Sequence, residues 1–305
     1  MNDWVLVVLG PTCVGKTQVS LKLADILSGE IVSFDSRQVY RFMDIGTAKP
    51  TEEEQKRIPH HLIGLVSPGE RFTAADYGKQ ARKAIGEIIE RKRQPIAVGG
   101  SGLYLKALIE GFFQGPQADW KVRERLQREA QESAGPHLFD RLKRVDPKAA
   151  DRIHPNDLVR TIRALEVYEL TGRPITEWQQ EGSYELFPMR FIKIGLTMER
   201  QRFYQKIDQR VDEMMAQGFL EEVTSLRNRG FTLRVKALRT VGYQELFAYL
   251  DGELDLSGAV ERIKLNTRHY AKRQLTWFKK DQDIAWLDVT DDDLIEEILK
   301  RLGQN

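Results

Sequence analysis

Hydrophobic positions along the chain switch between two periods. Trp4-Val5-Leu6-Val7-Val8-Leu9 is continuously apolar and half β-branched, the pattern of a strand buried on both faces. A helical spacing follows at Val19, Leu23 and Leu27, with Gly29 as the expected stop. Further short apolar runs predict strands over 30–34, 60–66, 94–98, 191–196 and 284–287. Between them lie helical patterns. One opens at Thr73, an N-cap with Asp76 in the capping-box position, and carries Tyr77, Ala81, Ile85, Ile88 and Ile89 on one face. Another covers 103–109. A long amphipathic one turns Phe203, Ile207, Val211 and Met214 inward and stops at Gly218. Helices are also expected over 219–227, within 236–250, and over 257–280 and 294–302. From 119 to about 181 the pattern is helical throughout, broken at Gly135-Pro136, Pro147, Pro155 and Gly172.

Alternating strands and helices predict an α/β fold with a parallel sheet flanked by helices, interrupted by an all-helical insertion. The expected division is a core of 1–115 and 186–305 and an insertion of 116–185.

The first strand runs into Gly10-Pro11-Thr12-Cys13-Val14-Gly15-Lys16-Thr17, a full match to G-x-x-x-x-G-K-[ST], and a helix follows at once. That context identifies a P-loop and an NTPase-like core. Gly10 and Gly15 let several N–H groups point into one concavity, and the helix start adds its positive end. Lys16 would reach the outer phosphate and the Thr17 hydroxyl a magnesium ion. The loop implies a diphosphate or triphosphate without implying a nucleotide.

Two other strand ends matter. The strand over 30–34 runs into Asp35-Ser36-Arg37-Gln38, and the strand over 94–98 into Gly99-Gly100-Ser101-Gly102. Residues just past parallel strands sit at the ligand crevice. A P-loop ATPase carries an Asp at the end of a second buried strand. Here the only such carboxylate near the loop is Asp35, which suits either a magnesium ligand or a general base. The glycine turn at 99–102 can bind an anion or orient a polar group. His60-His61, adjacent on a strand, point to opposite faces and do not form a metal pair.

Composition adds limits. The 305 residues are 41% hydrophobic and 30% charged, an ordinary globular profile, and a lone cysteine leaves no internal disulfide. No apolar run spans a bilayer and the N-terminus lacks signal-peptide order, so the expected setting is cytoplasmic, away from membranes. Net charge is only +2. Basic residues nevertheless gather at Arg262, Lys264, Arg268, Lys272, Arg273, Lys279 and Lys280, interleaved with His269, Tyr270, Trp277 and Phe278. Lys264, Arg268 and Lys272 recur every four residues, a stripe suited to RNA phosphates with few acids beside it.

Several stretches in one order resemble a known family: the loop at 10–17, Asp35-Ser36-Arg37-Gln38-Val39-Tyr40, Met43-Asp44-Ile45-Gly46-Thr47-Ala48-Lys49-Pro50, Gly99-Gly100-Ser101-Gly102-Leu103-Tyr104, Ala164-Leu165-Glu166-Val167 and Lys272-Arg273-Gln274-Leu275-Thr276-Trp277-Phe278. The chain resembles the bacterial tRNA dimethylallyltransferases, also called tRNA isopentenyltransferases, over essentially its whole length. The resemblance implies transfer of a dimethylallyl group from its diphosphate to N6 of the adenosine 3′ to the anticodon. It assigns the diphosphate and magnesium to the loop, the general base to Asp35, and a positioning hydroxyl to Ser101, where the family usually has Thr. It implies tRNA contacts at Asp35, Ser36, Arg37, Gln38, Ser101, Arg123, Val159, Arg160, Thr161, Ile162, Arg163, Thr240, Val241, Gly242, Tyr243, Gln244, Glu245, Lys272, Arg273, Gln274 and Lys279. Phe42, where many members have Gly, and Cys13 in the loop depart from the pattern. Rival readings are a small-molecule kinase and a non-catalytic RNA-binding NTPase. No protein partner is implied, and a monomer is expected.

Overall fold

The structure, a computed structural model, describes residues 4–112, 115–132, 136–181 and 186–303. The expected break at Gly135 lies outside the described residues. Six strands form one sheet: β1 Trp4–Leu9, β2 Gly29–Ser33, β3 His60–His61, β4 Gln94–Gly99, β5 Arg190–Thr197 and β6 Ala285–Asp288. Their order is β3-β2-β4-β1-β5-β6 and every pairing is parallel. β1 therefore lies inside the sheet, and Val5 to Leu9 have no exposure at all. That accounts for a run with no polar position.

Registers bring three strand ends to one edge. Leu9 pairs with Gly99 and Ser33 with Val98. The phosphate loop, the turn after β2 and the turn after β4 thus leave the sheet side by side. Gly99 packs against the backbone of Phe34, where a Cβ would lie 2.6 Å from the Phe34 carbonyl oxygen. A bulkier strand-end residue, an Asp included, does not fit there.

The helix Lys16–Leu27 packs Leu23 and Ala24 into a core shared with Leu6, Ile96 and Ile194. Each of the leucine and isoleucine side chains contributes about 1.5–3 kcal/mol by burial. Its C-cap is Ser28, in the left-handed conformation, and Gly29 already belongs to β2. The capping box at Thr73 and Asp76 forms in both directions, opening the helix Ala74–Glu90.

The strand expected over 60–66 is cut to two residues. Leu62 and Gly64 both take positive φ, 65° and 60°, which no strand continues through. Only an isolated bridge, Tyr40 to Val66, remains beyond it.

Residues 1–109 with 187–305 make one compact unit, and residues 110–186 another. The second is helical: Trp120–Glu132, Pro136–Val145, Pro147–Ala150, Leu158–Thr171 and Ile175–Glu181. Its own core includes Leu126, Leu138, Leu142 and Leu165. Glu166 is fully buried in it and fully engaged. It accepts from the Arg123 guanidinium at 2.8 and 2.9 Å, from Arg163 at 2.6 Å and from the Asp119 N–H at 2.7 Å. In the first unit, the helices Arg200–Ala216, Phe219–Asn228, Tyr243–Leu250 and Leu256–Phe278 follow β5.

Candidate active site at the edge of the sheet

Gly10 and Gly15 adopt φ of 152° and 112°, and Cys13 takes the left-handed conformation between them. These angles curl the loop over the start of the helix Lys16–Leu27. Thr12, Cys13, Gly15, Lys16 and Thr17 face a cavity of about 600 Å³, while Gly10, Pro11 and Val14 are buried behind them. Lys16 folds back, its Nζ donating to the carbonyls of Pro11 at 2.8 Å and Gly10 at 3.1 Å. Desolvation lowers its pKa to about 8, against the pull of Asp35, which raises it. Burial pushes the Cys13 thiol up, so it stays protonated.

Asp35 opens onto the same cavity. Its Oδ1 accepts from the Arg37 N–H at 2.8 Å, which fixes the carboxylate's rotation, and Oδ2 has no partner among the described residues. Ser101 stands behind it. Its Oγ accepts from the Ser36 N–H at 2.9 Å and donates to the Ser36 Oγ at 3.1 Å. The hydroxyl expected to touch reacting groups therefore supports the turn that carries Asp35, and Ser101 is not in the cavity wall. Gln38 faces the cavity, its amide N–H donating to the carbonyls of Ala48 at 3.0 Å and Thr47 at 3.3 Å. His60 and His61 form no metal pair: His61 Nε2 meets Glu30 at 2.7 Å, and His60 Nδ1 meets the Ile58 carbonyl at 2.7 Å.

The residues expected to meet tRNA divide by burial. Arg37, Gln38, Thr240, Val241 and Gly242 line the cavity. Val159, Gln244, Lys272, Arg273 and Lys279 are exposed, as is Arg160, which lies 3.4 Å from Asp157. Side chains of Thr161, Ile162, Tyr243, Glu245 and Gln274 are interior. Their polar side-chain atoms, where engaged, bond inside the protein. Glu245 accepts from the Gly242 N–H and from Asn266 Nδ2, both at 2.7 Å. Gln274 binds the backbone of Thr12 and Gly100. Arg123 and Arg163 are committed to Glu166.

The basic stripe has more acids beside it than its own helix supplies. Lys264 pairs with Asp212 at 2.8 Å and Arg268 with Asp208, both on the helix Arg200–Ala216. Lys272, Arg273, Lys279 and Lys280 have no ion pair among the described residues.

Two cations at the loop escaped sequence reading. Lys206 Nζ lies 3.4 Å from where a Gly15 Cβ would stand, and Arg210 shares the cavity. Their four-residue spacing beside the inward Ile207 and Val211 was the available signal. With Lys16 and Arg37 they bring four cations to the cavity, of which Arg210 lies 3.6 Å from Glu213. Apolar walls at Val211, Met214, Phe219 and Ile263 complete it. For magnesium, no cluster of three or more His, Cys, Asp or Glu occurs among the described residues. The donors present, Thr17 and Asp35, suit a hard cation that takes most of its oxygens from bound phosphates.

An IPP transferase family model matches residues 38–281. The chain is 48% identical over 304 residues to a tRNA dimethylallyltransferase 2 of Syntrophus aciditrophicus, covering 98% of this chain and 96% of that one. It is 47% identical over 284 residues to a tRNA dimethylallyltransferase of Geobacter sulfurreducens, covering 93% and 91%. The full-length tRNA isopentenylpyrophosphate transferase of Bacillus halodurans superposes with a TM-score of 0.74 at 42% identity, covering 99% and 96%. A eukaryotic dimethylallyltransferase captured acting on tRNA gives 0.81 at 30% identity, covering 98% of this chain and 77% of that one.

Proposed function

This chain belongs to the IPP transferase family, and on that premise we propose that it transfers a dimethylallyl group from dimethylallyl diphosphate to N6 of the adenosine 3′ to the anticodon in tRNA. The observation that carries the reading is the meeting of the phosphate loop with Asp35 in one partly apolar cavity. Among the described residues no second strand-end carboxylate lines that cavity: β4 closes on Gly99, and Asp288 at the end of β6 is not part of its wall. A small-molecule kinase reading leaves the apolar wall and the exposed cations of Lys272 and Arg273 without a role, and an RNA-binding NTPase reading leaves the apolar wall without one.

The chemistry balances on groups present. N6 forms a bond to the allylic carbon, the carbon–oxygen bond breaks, and its electron pair leaves with the diphosphate. Asp35 takes the N6 proton, because an exocyclic amine is a weak nucleophile. Lys16, Lys206, Arg210 and the loop N–H groups take up charge on the departing diphosphate. When bound at Thr17, magnesium offsets part of that charge. The adenine must leave its stack to reach such a cavity. The helical unit contributes tRNA contacts at Val159 and Arg160, whose exposure supports that role. The chain acts as a monomer in the cytoplasm on this reading.

Incubation with dimethylallyl diphosphate and tRNA, followed by nucleoside mass spectrometry, is expected to show the mass gain on adenosine. Asp35→Ala should abolish transfer while tRNA still binds. ATP consumption with unmodified tRNA overturns the proposal.

A further inference from the structure

The helix Phe219–Asn228 carries a carboxylate with an unusual set of donors. Glu222 Oε2 accepts from the N–H groups of Asp44 and Ile45, both at 2.7 Å. Its Oε1 accepts from the Gly46 N–H at 3.1 Å and from the Tyr243 hydroxyl at 2.7 Å. Three successive backbone N–H groups form a nest that favours an anion, and a carboxylate alone among side chains offers two acceptor oxygens. Gly46 has no room for a side chain, since a Cβ would collide with the rings of Phe219 and Tyr243.

What this clamp holds is a wall of the cavity. Gly46, Thr47 and Ala48 line it. The Thr47 and Ala48 carbonyls receive the Gln38 amide, Gln38 Oε1 accepts from the Ser33 hydroxyl at 2.9 Å, and Ser33 Oγ accepts from the Asp35 N–H at 3.4 Å. Hydrogen bonds, together with the backbone of residues 46–48, thus join Glu222 to the backbone of Asp35. This link does not pass through the phosphate loop.

We infer that Glu222 is a positioning residue, which sets the placement of Gln38 and Asp35 against the acceptor by anchoring residues 44–46. The inference rests on the functional reading above, with Asp35 as base. Glu222→Gln keeps the volume but turns an NH2 toward N–H donors. Because the phosphate loop is untouched, donor affinity and the transfer step should separate. The single-turnover transfer rate should fall about tenfold or more, the size of effect that a small misplacement of a reacting group produces. The dissociation constant for dimethylallyl diphosphate should stay within about twofold, since each factor of ten needs about 1.4 kcal/mol of altered contact. Tyr243→Phe removes one of the four donors and should move the rate in the same direction by less, so the test survives if Glu222→Gln does not fold. A rate equal to the parent's in the variant that folds, or a rate that falls only in step with donor affinity and melting temperature, overturns the inference. Absence of transfer by the parent, or full transfer by Asp35→Ala, sinks the functional reading and the inference with it. Normal behaviour of those two beside an unimpaired Glu222→Gln sinks the inference alone.

Discussion

Gln274 holds Thr12 from 262 residues away: its Oε1 accepts the Thr12 N–H at 2.8 Å, and its Nε2 donates to the Gly100 carbonyl at 2.9 Å. One buried amide therefore ties the phosphate loop to the turn that carries Ser101. Replacing Gln274 with Ala leaves both backbone groups without a partner, at about 1–3 kcal/mol for each group left dry. Thermal unfolding of Gln274→Ala should show a clear loss of stability, and diphosphate should bind more weakly because the Thr12 peptide is no longer fixed. Unchanged melting and unchanged diphosphate affinity would refute the strut.

Lys16 gives the site a pH dependence of defined sign. Its ordinary value is 10.5, and burial lowers it to about 8. Between those values the unfolded chain holds a proton that the folded chain has released. Stability of the ligand-free protein therefore rises with pH across that window. Diphosphate favours the ammonium, so binding takes up a proton. Affinity should fall as pH rises through about 8, approaching tenfold per unit at its steepest. Calorimetric titrations of diphosphate in buffers of different ionisation enthalpy check the uptake, and Lys16→Met should remove it. Burial raises the neighbouring Cys13 thiol above its ordinary value of 9.0.

Much of this was legible in the sequence because local chemistry fixes it. A strand with no polar position, such as 4–9, has only a two-sided burial to explain it, and the loop motif needs its glycines at set spacings. The turn residues Asp35 and Ser101 followed from strand ends alone. What stayed hidden depends on contacts distant in the chain. Gln274 sits between Arg273 and Leu275 in a basic stretch, and nothing nearby signals that its amide is buried. Lys264 and Arg268 look unpaired until the helix Arg200–Ala216 brings Asp212 and Asp208 beside them. Strand β3 is shorter than its apolar run because Leu62 turns left-handed, which leaves no mark on composition.

Phe42 occupies a position with φ of 65°, a conformation that favours glycine. Its half-exposed ring lies under the Arg229 guanidinium, 4.3 Å from Cζ to the ring centroid. That contact offsets part of the strain by about 0.5–1 kcal/mol. Phe42→Ala keeps the strain and loses the contact, whereas Phe42→Gly loses both. Denaturant unfolding should place the glycine variant above the alanine variant by about 1 kcal/mol. Equal stabilities would mean that the backbone there relaxes once the ring is removed.

The helix Leu256–Phe278 carries two kinds of cation, and salt dependence separates them. Lys272 and Arg273 are exposed without acidic partners among the described residues, whereas Lys264 and Arg268 are bound to Asp212 and Asp208. A cation that meets an RNA phosphate releases a counterion, so its removal flattens the plot of log affinity against log salt by roughly 0.7 to 0.9. Lys272→Ala and Arg273→Ala should each reduce the slope for tRNA binding by about that much and weaken binding similarly across tRNA sequences. Lys264→Ala and Arg268→Ala should leave the slope nearly unchanged, since those charges already have partners in the free protein. They should instead lower stability, because Asp212 and Asp208 lose their counter-charges, by no more than about 1 kcal/mol for pairs this near the surface. Filter binding over a salt series, with melting curves on the same four variants, measures both. A slope that responds to Lys264 and Arg268 as strongly as to Lys272 and Arg273 would show that RNA breaks the internal pairs, and would move the contact surface along the helix toward its N-terminus.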